Sequence, residues 1–554
     1  MKRILFIFST LFICVLCAAQ PSWVKKASKS VFTLKTFDSN GSLLGNSTGF
    51  FIGEQGEAVS SFAPFRNAYR AVVIDAADKE YEVGCMLGAN DIYDVAKFRV
   101  NIKKSQPLAL ASSSAVEGTS VWVLNYRDLK QVPQGQVQRA ETFKESYAYY
   151  TVGLELSDHY IGAPLMNENG EVLGLMQPSA VGSKASFAVS ALFVRDLRTT
   201  GLSINDPVLR STAIRIALPD EVDQALLTLF VASSVKDSSA YATLINDFIA
   251  KFPTEQDGYI YRAQLASANK DYAASDRDME EALHVAKRPD EVHMSWSRMI
   301  YQKLLYVPEP GYGPWTLDRA LQEAREAYRL NAQPGYLQQQ AYVLFSQGKY
   351  SETDAIYEQL FNSSLRSAEL FYEASRCKEA QGDTLAQIAL LDSAVAQFSR
   401  PYLKEVSGYL LARAQAYMNV GKNRPAVIDL NEYEDLMKTQ VNDQFYYLRY
   451  QAEMGSRLFQ QALNDIAHAI EMNPQEELYY SEKASLEVRV GLYDEAIATA
   501  TQSIGLWPQN SDGYLFLGLA QCLKGLKADG IRNLEKAKDL GDPQAQNLID
   551  KYSK

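Results

Sequence analysis

The sequence predicts a multidomain protein of α and β parts, an all-β N-terminal domain followed by an all-α repeat solenoid. Between Ser30 and about Leu197, short alternating stretches are cut by turn residues at close intervals, which suits a sandwich or a barrel pair. After Val208 that grammar stops and long helical patterns take over. There the marks recur with a period: Gly348 to Gly382, Gly491 to Gly525 and Pro474 to Pro508 are all spacings of 34 residues. A fixed period of that length specifies stacked helical units, each burying its apolar face against the next.

Residues 1–19 have the layout of a secretory signal: Lys2 and Arg3, an apolar run from Ile4 to Leu16, then Cys17-Ala18-Ala19 before Gln20. Cleavage is expected after Ala19, which makes the mature chain a secreted, periplasmic one. The apolar run falls short of the roughly 20 residues a membrane anchor needs. A lipoprotein reading through Cys17 meets Leu16, where such signals want a small residue. No later stretch reaches transmembrane length.

Of the 554 residues, 47% are hydrophobic and 22% charged, the balance of a globular protein with sizeable cores. The net charge of −11 is spread without long acidic runs, and Lys25-Lys26 and Lys103-Lys104 are too short to track a phosphate backbone. Nucleic acid is not an expected partner. Cys85, Cys377 and Cys522 are far apart and lack CxxC spacing, which reads as buried thiols and not as a disulfide framework or zinc site. No metal cluster, phosphate loop or paired-carboxylate signature is found, so no cofactor is expected.

The expected strands are Val31–Phe37, Ser47–Ile52, Ala58–Ser61, Tyr69–Ile74, Glu80–Leu87, Val95–Val100, Ser120–Leu124, Ala148–Glu155, Val172–Met176 and Ala185–Val189. Asp38-Ser39-Asn40-Gly41 supplies a hairpin turn after the first. Several of these stretches carry a more specific pattern. Gly49-Phe50-Phe51-Ile52-Gly53, then Gly56-Glu57-Ala58-Val59-Ser60-Ser61-Phe62-Ala63-Pro64, the pair ending Asp94-Val95-Ala96-Lys97-Phe98-Arg99-Val100, and Ser157 to Gly174 resemble trypsin-like serine proteases of the bacterial high-temperature-requirement type. The resemblance runs from about residue 28 to 200. It implies a trypsin-like double β-barrel, and it puts the histidine slot on Ala63, the aspartate slot on Asp94 and the serine slot on Ile161.

Hydroxyl nucleophilic catalysis needs a base in reach, a group that orients the base, and donors aimed at the developing oxyanion. Ala63 supplies no base and Ile161 no nucleophile. The chain has four histidines, and His284, His293 and His468 lie in the helical part. His159 is therefore the sole imidazole of this domain, two positions before Ile161, where the family has a glycine that helps form the oxyanion hole. It reads as a surface or turn residue, and Asp94 as a hydrogen-bonded structural carboxylate. No catalytic set is intact, which points to a pseudoprotease; the alternative is an active secreted serine endopeptidase whose repeats capture substrate.

A linker is expected over 201–220, after a trypsin-like domain at 20–200 and before an array at 221–554. Gly491-Leu492-Tyr493-Asp494-Glu495-Ala496-Ile497, with Ala462, Ala469, Asn473-Pro474, Leu506 and Pro508, resembles the tetratricopeptide repeat. Small residues are needed where paired helices cross closely, and the proline ends the second helix. Units are expected at 221–253, 255–288, 291–332, 334–366, 368–401, 407–440, 443–475, 477–509 and 511–540, with a closing helix at 543–552. The 291–332 unit carries an inserted turn-rich loop, Val307 to Pro314. In this register Tyr342, Phe345, Tyr372, Arg376, Gln415, Met418, Tyr447, Gln451 and Met454 face the concave groove, apart from any that pack between units. That lining suits a protein or peptide partner, with no lysine clamp for a terminal carboxylate.

Overall fold

The computed structural model describes residues 20–179, 183–235 and 237–553. The expected signal at 1–19 lies outside them. The chain divides into two compact units, one ending at Lys287 and the other beginning at Arg288.

The first unit opens with two closed six-stranded barrels. The first contains β1 (Val31–Phe37), β2 (Leu43–Phe51), β3 (Glu57–Ser60), β4 (Arg70–Ile74), β5 (Glu80–Asn90) and β6 (Val95–Val100), in the order β1-β2-β3-β6-β5-β4. The second contains β7 (Ser120–Val123), β8 (Gln134–Phe143), β9 (Tyr147–Val152), β10 (Pro164–Met166), β11 (Val172–Gln177) and β12 (Ser186–Ser190), in the order β10-β11-β12-β9-β8-β7. All strand pairs are antiparallel, and closure leaves no free sheet edge.

Alternation along the strands sorts side chains between cores. Phe32, Leu34, Phe51 and Phe98 fill the first barrel, with Phe32 and Phe51 ring centroids 4.9 Å apart. Val121, Val137, Tyr150, Leu165 and Met176 fill the second. The opposite faces of the same strands, Val31, Phe50, Val59, Met166, Val172 and Leu175, form a third cluster that joins the barrels. β1 therefore buries one face throughout and the other at Val31.

Two strands had no counterpart in the expected set. β8 is mostly exposed and carries Gln, Arg and Glu, so it lacks an apolar alternation; β10 begins with proline and has three residues. The segment 201–220 is strapped to the first barrel: Met86 N donates to Arg215 O at 2.8 Å, Ala217 N to Met86 O at 2.8 Å and Ala213 N to Ala68 O at 2.8 Å. Leu209 and Ile214 enter the barrel core, while Ile204 and Leu218 pack with Leu229, Ile245 and Phe248 of the first helix pair.

From Val222 the described residues form nine antiparallel helix pairs and a last helix, Ala545–Tyr552. Two pairs, ending at Val285, belong to the first unit and seven pairs to the second. Gly491 and Gly525 end first helices in the left-handed region, at φ +84° and +95°, where a Cβ is disfavoured. Ala462, Ala469 and Ala496 are fully buried where paired helices cross. A bidentate ion pair recurs between the two helices of a unit: Arg262 with Asp278, Arg413 with Asp429 and Arg449 with Asp465, each sixteen residues apart. The loop from Val307 to Pro314 falls between the helices Pro289–Tyr306 and Leu317–Leu330.

Candidate functional site

β3 runs out at Ser60 and the chain turns through Ser61 and Phe62 into a 3₁₀ turn, Ala63–Phe65. Asp94, at φ +46° between β5 and β6, closes that turn. Its Oδ1 accepts from Ala63 N at 2.6 Å, its Oδ2 accepts from the Ser61 hydroxyl, and its carbonyl accepts from Phe62 N at 3.3 Å. Both carboxylate oxygens thus serve local donors, and the side chain that would carry an imidazole is the exposed methyl of Ala63. Ser61, which takes the second oxygen, carried no signal in the sequence beyond its place in the motif.

The slot of Ile161 follows a 3₁₀ turn, Asp158–Tyr160. Ile161 N donates to Asp158 O at 3.0 Å, so the amide that would face an oxyanion is spent inside the turn. Thr48 N donates to Ile161 O at 2.9 Å, Thr48 Oγ1 to His159 O at 2.8 Å and Asn125 Nδ2 to His159 O at 3.1 Å, which fasten the loop to β2. Gly162, at φ +81°, lies so close to β2 that a Cβ would stand 2.1 Å from Thr48 O and 3.2 Å from Ser61 N. At the three triad slots Asp94 thus serves its own turn, Ala63 carries no base, Ile161 carries no hydroxyl, and the Ile161 amide is bonded within its turn. The adjoining cavity, lined by Leu156, Ser157, Tyr160, Ile161, Met176 and Gln177 among others, measures about 10 Å³, room for one water at most.

His159 belongs to a hydrogen-bonded chain with Ser157 and Asp128. It is half-exposed, with Nδ1 2.8 Å from Ser157 Oγ and Nε2 2.7 Å from Asp128 Oδ2, and Tyr160 donates its hydroxyl to the same Asp128 oxygen at 3.0 Å. Burial and the Asp128 bond hold the Tyr160 phenol above its usual range. Asp128 was not singled out in the sequence, because a contact across thirty-one positions leaves no local pattern.

In the second unit, four of the nine groove residues come together. Tyr342, Phe345, Tyr372 and Arg376 line a cavity of about 340 Å³, joined by Tyr301, Leu305, Tyr306, Ser346, Tyr357, Glu369 and Glu373. They come from the first helices of three successive units, Pro289–Tyr306, Pro334–Ser346 and Ala368–Ala380, with Tyr357 from the second helix Tyr350–Leu360. Glu373 accepts from the Tyr342 hydroxyl at 2.6 Å and from Gln338 Nε2 at 3.0 Å. Burial raises its carboxyl above the ordinary range despite those two donors, and burial with the Glu373 bond raises the Tyr342 phenol. The other five lie outside this cavity: Gln415 and Gln451 are exposed, Met418 and Met454 pack on neighbouring core clusters, and Tyr447 stacks on Tyr450 and Tyr479 with centroids 5.8 Å and 5.2 Å away.

Tyr301 escaped the period argument for a geometric reason. Tyr342 lies 41 positions after Tyr301, seven more than the period of 34, because the Val307–Pro314 loop lengthens that unit. Stepping back one period from Tyr342 lands on Pro308, inside the loop. Among the described residues no helix is long and apolar enough to cross a membrane, and no three His, Cys, Asp or Glu residues are grouped to hold a metal ion. Cys85, Cys377 and Cys522 are buried free thiols, Cys377 pushed up to about 12 by burial.

Residues 47–175 match the family model of the trypsin-like peptidase domain. The Rv3671c protease in an inactive form is 20% identical, with a TM-score of 0.27 over 33% of this chain and 92% of that one. A serine-to-alanine mutant of Rv3671c from M. tuberculosis H37Rv, also an inactive form, is 22% identical, with a TM-score of 0.26 over 32% and 89%. The small glutamine-rich tetratricopeptide repeat-containing protein 2 of Saccharomyces cerevisiae is 24% identical over 122 residues, which cover 22% of this chain and 35% of that relative's length. The chain thus joins a trypsin-like peptidase domain, in the double-barrel fold, to an all-α solenoid of tetratricopeptide-like repeats.

Proposed function

We propose that this is a secreted, periplasmic binding protein in which a catalytically inactive trypsin-like domain is coupled to a peptide- or protein-binding repeat array. The observation that carries the reading is the state of the cleft. Ala63 and Ile161 stand where base and nucleophile are needed, and the Ile161 amide is bonded to Asp158 O at 3.0 Å. Losing triad members alone costs about 10⁴- to 10⁶-fold in rate. The barrel pair then acts as a folded module, and the array's inner face, with its cavity of about 340 Å³, takes an extended partner segment. Secretion rests on the layout of residues 1–19.

A fluorophosphonate probe tests the inactive reading: intact protein is expected to remain unlabelled. The Ser157–His159–Asp128 chain favours a second reading, in which Ser157 acts as a displaced nucleophile with His159 as its base. Stoichiometric labelling that disappears in Ser157→Ala would establish that second reading and end the first. Fractionation of the native host with an antibody to the array tests the location; recovery in the cytoplasm would remove the periplasmic assignment.

A further inference from the structure

We infer that the cavity between the first helices Pro289–Tyr306, Pro334–Ser346 and Ala368–Ala380 receives a lysine or arginine side chain of the partner segment. This rests on the reading of the array as a peptide-binding module and specifies what its groove selects. The walls are aromatic: Tyr301, Tyr342 and Tyr372 come from three successive units. Tyr306, 77% exposed, adds a further ring at the rim. Ring faces carry negative quadrupole charge and attract an ammonium or guanidinium within about 6 Å.

The polar groups in the same cavity have the complementary sign. Glu373 keeps acceptor capacity, because each of its oxygens meets one donor, Tyr342 or Gln338. Glu369 also lines the cavity, and its Oε2 is held by the Tyr409 hydroxyl at 3.0 Å. Two carboxylates stand against one cation, the exposed Arg376. A half-buried carboxylate with an open site facing aromatic rings is a poor place for an anion and a good one for a cation that leaves water. The chain's net charge of −11 adds long-range attraction of the same sign.

Arg376 makes the opposite occupant, an acidic side chain, the competing outcome. A size argument separates these from a small ion: about 340 Å³ accommodates a whole lysine or arginine side chain with room for the adjoining backbone.

Four pools of fluorescein-labelled nonapeptides, random except for a central arginine, lysine, glutamate or norleucine, provide the test by fluorescence polarisation on the full mature chain. The arginine and lysine pools are expected to bind about tenfold tighter than the norleucine and glutamate pools. Glu373→Gln should erase that preference, and Arg376→Gln should increase it; thermal melts confirm that both variants are folded. Equal binding of the norleucine pool would overturn the cation assignment and leave peptide binding standing. Preference for the glutamate pool, lost in Arg376→Gln, would overturn it in favour of an anion site. Failure of every pool to bind would remove both the assignment and the peptide-binding reading beneath it.

Discussion

Restoring the two missing groups by Ala63→His and Ile161→Ser together is expected to leave the domain a poor hydrolase. Ala63 is exposed and Ile161 half-buried, so neither change disturbs a core. The obstacle is the turn before position 161. Its amide is donated to Asp158 O at 3.0 Å, and one lost oxyanion donor costs about 10²- to 10³-fold in kcat, or 2.7–4 kcal/mol. A third change, His159→Gly, lets the Asp158 carbonyl rotate away, since glycine accepts backbone angles that a histidine next to a bulky residue does not. The triple variant should therefore exceed the double variant by about 10²- to 10³-fold. The assay is hydrolysis of p-nitrophenyl acetate and of labelled casein, with mass-spectrometric detection of fluorophosphonate on position 161. A double variant within tenfold of the triple one would refute the claim that the spent amide limits the site.

Three further outcomes follow from the packing. Glu453 is 3% exposed, and burial with Asp465 beside it pushes its carboxyl up to about 8, so it is protonated in the fold and ionised when unfolded at neutral pH. Its stabilising share is complete below its unfolded value and is lost as pH rises through about 8; Glu453→Gln should melt like the parent near pH 4.5 and be more stable by about 2 kcal/mol at pH 9, read by calorimetry. Gly162→Ala places a Cβ 2.1 Å from Thr48 O at φ +81° and should cost about 3 kcal/mol or more in urea titrations, whereas Gly491→Ala, with open space around it, should cost about 1 kcal/mol. Asp465→Ala strips the bidentate partner from Arg449, itself 7% exposed, and with Glu434 still bonded the expected loss is about 2–3 kcal/mol by the same titration.

The barrels were legible because their strands alternate and their turns carry glycine and asparagine. Val31–Phe37 and Val95–Val100 fall where the alternation puts them. β8 and β10 were not legible, since an exposed strand has no apolar face to display and a three-residue strand beginning with proline reads as a turn. The array was the easier half: a period is read many times over, and Gly348, Gly382, Gly421, Gly491 and Gly525 all follow first helices in the left-handed region. What the period could not supply is whatever a single insertion displaces, as with Tyr301, or whatever distant chain folding brings together, as with His159 and Asp128.

In the stretch Ser157–Gly174 the protease-like residues hold the loop to the barrels, while the serine slot carries Ile161. Gly162 is needed because the backbone passes against Thr48 O with no room for a Cβ. Leu165 and Met166 are fully buried, one in the second barrel's core and the other between the barrels. Asn167 holds the following turn, its Oδ1 accepting from Asn169 N at 3.0 Å and Glu171 N at 2.9 Å. Each of these residues has a packing or turn-forming task in the scaffold. Ala63 and Ile161 bear no such load: one is exposed, the other contributes its backbone to the loop, and a catalytic side chain at either slot would add nothing to packing. The fold therefore does not depend on the side chains at these two slots, and the residues that still look like a protease meet the demands of the scaffold.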